Sequence, residues 1–106
     1  MNILNEIWIG MLGLHPLKNN SYIEQNEGAY TNILIMASSI NDYLEKAKKY
    51  VKWLDFEIFD YEDIEPLRIR LQNYVIDDEL TGLSDIIKKS GEPQISTLHV
   101  FDREDL

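Results

Sequence analysis

Two short runs of the chain are apolar at nearly every position. They are IWIGMLGL, residues 7–14, and TNILIMA, residues 31–37. Continuous apolar runs of this length predict strands that are buried on both faces of a sheet. The polar segment 17–30 between them predicts a long loop, and loops of this length are either functional or mobile. Both apolar runs are far shorter than the roughly 20 residues of a membrane-spanning helix.

The segment SSINDYLEKAKKYVKWL has the spacing of an amphipathic helix. Its start is marked by Ser39 and, three residues later, Asp42, an arrangement like a capping box. Apolar side chains then recur at helical spacing, at Tyr43, Leu44, Ala47, Tyr50, Val51 and Leu54. We expect Trp8 of the first strand and Trp53 of this helix to be core residues, because both lie on apolar faces.

The next segment, FEIFDYEDI, predicts a third strand whose alternation slips. Phe56 and Ile58 share one parity, and Phe59 and Tyr61 share the other. In a regular strand these two sets point to opposite faces of the sheet. The pattern therefore indicates either a β-bulge near Phe59 and Asp60, or a strand whose second face carries both later rings among acidic residues.

Two helical segments and one strand are predicted in the remaining chain. Pro66 suits the first position of a helix. Its apolar residues are Leu67, Leu71 and Tyr74. DDELTGLSDIIKKSGEP predicts a second helix that is capped by Asp77 or Asp78 and ends at a glycine. QISTLHVF, residues 94–101, is rich in strand-forming residues, and residues 102–106 form a charged tail.

The element order is therefore β-β-α-β-α-β within a single domain, residues 1–106. We expect a two-layer α+β sandwich in which one sheet of about four strands is covered by two to three helices. The segment 31–64 would form a right-handed βαβ crossover if its two strands are parallel neighbours.

Composition narrows the cellular setting. The chain has no cysteine, which excludes disulfides and thiolate chemistry and favours a reducing compartment. No basic residue precedes Lys18, whereas a secretory signal begins with positive charge. We expect a cytoplasmic protein that does not associate with membranes.

The net charge of −9 is distributed unevenly. Residues 1–54 carry five acids and five bases, whereas residues 55–106 carry fourteen acids and five bases. Such an acidic half either keeps a small protein soluble or steers a basic partner towards it. Binding to DNA or RNA is not expected, because nucleic-acid binders need a basic stripe.

The sequence offers little support for catalysis or metal binding. His15 and His99 are the only histidines, and no serine has the context of a nucleophile elbow. The acids form a contiguous run, whereas an acid–base pair is held on separate elements around a cleft. Calcium-loop spacing and glycine-rich phosphate loops are absent. We therefore expect a protein without enzymatic activity, cofactor or metal ion.

The acidic and aromatic residues of the segment 55–106 favour a role in protein binding. Aromatic side chains bury large area at low entropic cost, and neighbouring carboxylates pair with arginine and lysine. The predicted partner-binding residues are all acidic or aromatic: Asp55, Glu57, Phe59, Asp60, Tyr61, Glu62, Asp63, Glu65, Asp77, Asp78 and Glu79. Tyr22 and Tyr30, in or beside the long loop, are free to join this surface.

One segment carries a family resemblance. AYTNILIMASSINDYLEKAKKYVKWLDFEIFDYEDIEPL, residues 29–67, places a short apolar strand before an amphipathic helix and a strand that ends in acids, and STLHVFD follows later. In this it resembles the immunity proteins of bacterial polymorphic-toxin and contact-dependent inhibition systems. The resemblance implies a stoichiometric inhibitor that blocks a cognate toxin, often a basic nuclease. Interfaces diverge in such families, so it assigns no residue a role.

Other functions remain open at this level. An acidic inhibitor that mimics nucleic acid, such as an anti-defence protein, would use the same charged surface. A small-molecule binding or sensor domain would use loop 17–30 as a lid over a pocket. An exposed strand edge would also allow two copies to pair as a homodimer.

Overall fold

The computed structural model describes residues 5–73 and 77–102. Within these residues the elements are β1 (Glu6–Pro16), β2 (Glu27–Ala37), α1 (Ile40–Trp53), β3 (Phe56–Pro66), α2 (Leu67–Asn73), α3 (Asp78–Ser90), β4 (Gln94–Ile95) and β5 (His99–Asp102). The fold is α+β, with one antiparallel sheet flanked by helices, as the sequence predicts. The predicted helical residue Tyr74 and the tail beyond Asp102 lie outside the described residues.

Strand β1 lies in the middle of the sheet. It pairs with β2 on one side, from Glu6 opposite Ala37 to Leu14 opposite Ala29, and with β3 on the other side. The short strands β4 and β5 both pair with β2. Since β2 and β3 are both antiparallel to β1, they run parallel to each other with β1 between them. Helix α1 therefore crosses over one intervening strand and does not connect neighbours.

The larger core cluster lies between the sheet and α1. Its buried members are Leu12, Leu14, Ile33, Ile35, Ala37, Tyr43, Ala47, Val51 and Phe56. Tyr43 is fully buried, and its hydroxyl donates a 2.8 Å hydrogen bond to the carbonyl oxygen of Ile33. Gly10 makes room for this ring, because a Cβ there would lie 2.7 Å from the Tyr43 hydroxyl oxygen. Ser39 caps α1 as predicted, accepting a hydrogen bond from the Asp42 amide.

On the opposite face, α2 and α3 cover only the end of the sheet formed by the start of β1 and the end of β2. The buried cluster there consists of Ile7, Ile9, Leu34, Leu67, Leu80 and Ile87. Asp77 caps α3 by accepting a 2.9 Å hydrogen bond from the Leu80 amide, as predicted. Gly91 ends the helix in the left-handed conformation at φ 74°. The other end of this face carries no helix among the described elements.

The predicted long loop is shorter than expected and is fastened to the fold. Strand β2 begins at Glu27 and not at Thr31, so the connection spans residues 17–26. Leu17 donates its amide to the carbonyl oxygen of Asp55 at 2.8 Å. The Asn20 side-chain amide donates to the same carbonyl at 2.6 Å. The loop is thereby tied to the junction of α1 and β3.

The predicted strand 94–101 is divided into β4 and β5. Ser96 still donates its backbone amide to the Asn32 carbonyl oxygen, but the return bond from the Asn32 amide goes to the Ser96 side-chain hydroxyl oxygen. The Thr31 hydroxyl also donates to the Ser96 carbonyl oxygen at 3.1 Å. The two bonds made by the Ser96 and Thr31 hydroxyl groups take the place of regular ladder bonds, and the pairing is interrupted there.

Trp53 is exposed, contrary to the prediction that it belongs to the core. Its side chain is 78% exposed, whereas Tyr43, Ala47 and Val51 of the same helix are buried. Because an α-helix turns by about 100° per residue, Trp53 lies roughly 200° around the helix from Val51. Trp8 does pack against the α1 cluster.

Candidate functional site

A bulge in β3 decides where its rings point. Gly13 of β1 pairs with Asp60, and the next residue, Leu14, pairs with Ile58. Phe59 is thus the extra residue, with no partner of its own in this register. The bulge predicted near Phe59 and Asp60 is confirmed.

The bulge places Phe59 and Tyr61 on opposite faces of the sheet. Residues directly opposite across two strands share a face, and Tyr61 lies opposite Leu12 of the α1 cluster. Phe59 instead stacks on His15, on the face that α1 does not cover, with ring centroids 4.1 Å apart. The alternative in which one regular face carries both rings is wrong, because the extra residue inverts the alternation.

Four rings from four strands meet on this face. They belong to His15, Tyr30, Phe59 and Phe101. The Phe59 centroid lies 5.6 Å from that of Tyr30 and 6.2 Å from that of Phe101, and both contacts are edge-on. Tyr30 and Phe101 are 5.7 Å apart. These three separations are typical of favourable ring pairs. Phe59 remains 37% exposed, so solvent reaches the cluster.

Two glycines lie beneath these rings. A Cβ on Gly13 would lie 2.7 Å from Cζ of Phe59, and one on Gly28 would lie 2.5 Å from Cζ of Phe101. Glycine in a strand marks a place where another group approaches the backbone closely. Because neither glycine has a Cβ, the rings of Phe59 and Phe101 can pack directly against the backbone of the sheet.

Three carboxylates of β3 share this face with the rings, since their partners on β1 point there: Glu57, Asp60 and Glu62. The Tyr30 hydroxyl donates a 3.0 Å hydrogen bond to Oδ2 of Asp60. This bond, with burial and the neighbouring negative charge, raises the pKa of Tyr30 above its ordinary value. Glu57 and Glu62 are exposed, and neither forms an ion pair within the described part of the chain.

We refer to this surface as the open face. It consists of His15, Tyr30, Glu57, Phe59, Asp60, Glu62 and Phe101. Chemically it offers ring surface for apolar contact and several carboxylate oxygens that accept hydrogen bonds. Exposed rings beside carboxylates are typical of protein-binding surfaces.

Three other predicted acids of this region have local structural partners. Asp55 joins α1 to β3 at φ 64°, and its carbonyl oxygen receives the Leu17 amide. Asp63, at φ 51°, lies in a second bulge of β3, and its carbonyl oxygen accepts a 2.7 Å hydrogen bond from Arg70. The Glu65 carboxylate pairs with the same Arg70 guanidinium. These acids are not placed with the open face by any described contact.

The predicted acids Asp77, Asp78 and Glu79 organise α3. Asp77 caps the helix, and Asp78 lies in its first turn, where the helix dipole favours negative charge. Glu79 accepts hydrogen bonds from the amide of Thr97, at 2.6 Å, and from its hydroxyl, at 2.9 Å. It thereby ties α3 to the segment between β4 and β5.

Sequence reasoning missed His15 and Phe101 as members of the surface. It placed His15 after a strand and left Phe101 at the end of one. The available signal was Gly13 within the first predicted strand, since an interior glycine indicates a close approach of another group. Gly28 gave no such signal, because it lay in the predicted loop 17–30. Which rings cover them depends on strand pairing, and the sequence does not show that pairing directly.

The described residues contain no group of three or more His, Cys, Asp and Glu side chains arranged to hold a metal ion. None of the helices in the described ranges is long and apolar enough to cross a membrane. Comparison with protein-family models, with curated proteins and with solved structures finds no match to this chain.

Proposed function

We propose that this protein is a non-catalytic immunity protein that binds and neutralises a cognate, basic bacterial toxin through the open face. One observation carries the proposal. Helices cover one end of a sheet face, while the other end presents four rings and three carboxylates that no helix of residues 5–73 and 77–102 covers. The proposal places the protein in the cytoplasm.

The chemistry of the open face fits a positively charged protein surface. Exposed rings anchored on a rigid sheet bury area with little loss of side-chain entropy. Glu57 and Glu62 can accept salt bridges, and Asp60 retains acceptor capacity beside its bond from Tyr30. The net charge of −9 adds long-range attraction for a basic partner.

The layout of the carboxylates supports binding over catalysis. Glu57, Asp60 and Glu62 follow one another along a single strand on an open surface. Acid–base catalysis is typical of two carboxyl groups that face each other across a cleft in different environments. The ties of Asn20 to the junction before β3 also argue against loop 17–26 as a mobile lid.

The exposed edge of β3 bears on self-association. This strand is at the edge of the sheet, and it carries two bulges and several acids. Bulges and charges on an edge strand oppose pairing with a strand of a second copy. The architecture thus favours contact through the open face over the edge-to-edge homodimer that the sequence suggested.

The test is capture of partners by two matched variants. The open-face variant combines Glu57→Gln, Asp60→Asn and Glu62→Gln. The control variant combines Glu24→Gln, Glu45→Gln and Asp85→Asn, which removes the same charge from exposed side chains elsewhere. Each tagged protein is incubated with lysate of its own cells and washed at about 0.05 M and then about 0.5 M salt, and bound proteins are identified by mass spectrometry.

We expect a basic protein in stoichiometric amount that is released at high salt, is lost from the open-face variant and is kept by the control. That protein must be toxic when expressed alone and harmless when co-expressed with this chain. A host nucleic-acid enzyme in its place would favour the nucleic-acid-mimicking inhibitor. A partner that binds both variants equally would contradict a role for the open face.

A further inference from the structure

A groove of about 660 Å³ lies between α1 and the turn that follows α3. Its apolar walls are formed by Ile35, Met36, Tyr50, Trp53 and Pro93. A volume of this size is within the range of small-molecule sites in proteins. The groove uses different residues from the open face, so an inference about it is independent of the proposed function.

Trp53 lies at this groove with most of its indole in water. The side chain is 78% exposed, although tryptophan is among the largest apolar side chains. Covering such a surface with an apolar group is favourable in proportion to the area removed from water. Trp53 and Tyr50 therefore offer ring surface against which a flat apolar body can pack.

Positive charge lines the same groove. Lys46 is held in place, since its Nζ donates to the Met36 carbonyl oxygen at 3.0 Å and lies 3.1 Å from the Asp42 carboxylate. Lys49 also lines the groove and forms no hydrogen bond or ion pair with a residue in the described ranges. Among the lining residues that the structure describes, Glu92 is the one acid. Within the described part of the chain, Lys49 is thus the groove lysine without a partner, and it lies one turn before Trp53 on α1.

We propose that this groove binds a small amphipathic anion, whose apolar body packs on Trp53 and Tyr50 and whose carboxylate or sulfonate group pairs with Lys49. Ring surface and a cation at this spacing match an aromatic or aliphatic acid. A neutral apolar compound leaves the ammonium unpaired, and a cation meets two lysines against the single carboxylate of Glu92 among the described lining residues. In a protein of net charge −9, such selectivity has to come from this local arrangement.

The probes are naphthalene-2-carboxylate and its neutral analogue, naphthalene-2-carboxamide. The readout is the indole N–H signal of Trp53 in a ¹H–¹⁵N NMR titration of the whole chain. Trp8 supplies an internal control, because its Nε1 is buried and lies outside the groove. We expect the carboxylate to shift the Trp53 signal with a dissociation constant of about 0.1–1 mM and to leave the Trp8 signal in place.

Two lysine variants distinguish the contribution of the Lys49 charge to binding from that of the apolar contacts in the groove. Lys49→Met keeps most of the aliphatic stem and should weaken carboxylate binding by about three- to fivefold without changing carboxamide binding. Lys48→Met is the matched control, since Lys48 lies on the same helix and lines a different cavity, with Val51, Phe56 and Tyr61. It should leave both titrations unchanged.

Three outcomes would overturn the proposal. One is that neither probe shifts the Trp53 signal at about 5 mM, well above the expected dissociation constant. Another is that the two probes bind equally, which would make the groove an apolar surface without preference for anions. The third is a Trp53 signal that moves with protein concentration in the absence of probe, which would assign the groove to a second copy of the chain.

Discussion

The two ends of one sheet face are built from the same strands and differ in what lies above them. At one end, Ile9 of β1 and Leu34 of β2 are completely buried beneath α2 and α3. At the other end, four residues further along β1, Gly13 lies beneath the partly exposed ring of Phe59. Aliphatic side chains fill the covered end, whereas rings and carboxylates occupy the open end. Packing accounts for the residues at the first end, and the proposed partner contact would account for those at the second.

The largest expected difference in the free energy of unfolding is between the variants Ile9→Ala and Phe59→Ala. Ile9→Ala should lower the free energy of unfolding by about 2–5 kcal/mol, because it leaves a cavity beneath two helices. Phe59→Ala should cost only about 1–2 kcal/mol, since water already reaches this ring. Urea unfolding followed by circular dichroism measures both values.

In the partner-capture experiment the more damaging substitution should be Phe59→Ala and not Ile9→Ala. Ile9→Ala should still bind wherever it remains folded, and Phe59→Ala should not. Equal losses of stability, with no difference in capture, would mean that the open face is a second core and not a binding surface.

A second, smaller contrast compares two glycines that lie beneath rings. Gly10→Ala should cost about 1–3 kcal/mol, because the buried Tyr43 above it is fixed by its bond to the Ile33 carbonyl oxygen. Gly28→Ala should cost less than about 1 kcal/mol, because the obstructing atoms are the far end of the Phe101 ring, which can swing towards solvent. Thermal unfolding of the two variants checks the order.

An NMR measurement on the Gly28→Ala variant tests the comparison of the two glycines further. The ring signals of Phe101 in NMR spectra should lose their contacts to Tyr30 and Phe59 in the Gly28→Ala variant. If Gly28→Ala proved as costly as Gly10→Ala, the open face would be as rigidly packed as the surface beneath α1.

The smallest effect concerns the pKa of Tyr30. Its hydrogen bond to Asp60, burial and nearby negative charge raise this pKa, so Asp60→Asn should move it back towards 10.0. Because the folded-state pKa is raised, the contribution of Tyr30 to stability is fully present below the unfolded value. It is lost as pH rises through the folded pKa. A ¹³C NMR titration of the tyrosine Cζ signals, assigned with Tyr30→Phe, measures the shift, and an unchanged pKa would argue against the bond.

The elements that sequence reasoning identified best are those specified by local signals. Ser39 and Asp77 mark helix starts because their side chains satisfy free amides two or three residues on, and both cap as predicted. The slip in the pattern around Phe59 likewise indicated a bulge as one of two alternatives, and the strand register decides for it. Such signals depend only on neighbouring residues.

The features that sequence reasoning missed depend on which strands become neighbours. The exposure of Trp53 is an exception that local spacing does specify, because Trp53 lies outside the stripe of Tyr43, Ala47 and Val51. The interruption at Ser96 arises from its bonds to a distant strand. The open face exists because Phe101 arrives beside Gly28 through pairing of β5 with β2. No local pattern encodes these meetings, which is why the acids were predicted as one surface and the structure divides them.

The central position of β1 has a consequence for synthesis. Strands β1 and β2 form a hairpin that is complete at Ala37, whereas the strand that covers the other edge of β1 ends only at Pro66. At ordinary elongation rates, the ribosome needs roughly a few seconds to supply those intervening residues. During that interval the nascent hairpin has an unpaired apolar edge, which is the state most exposed to misassembly or to capture by a chaperone. Arrival of β3 closes this edge and, with the same residues, adds the negative charge that keeps neighbouring nascent chains apart.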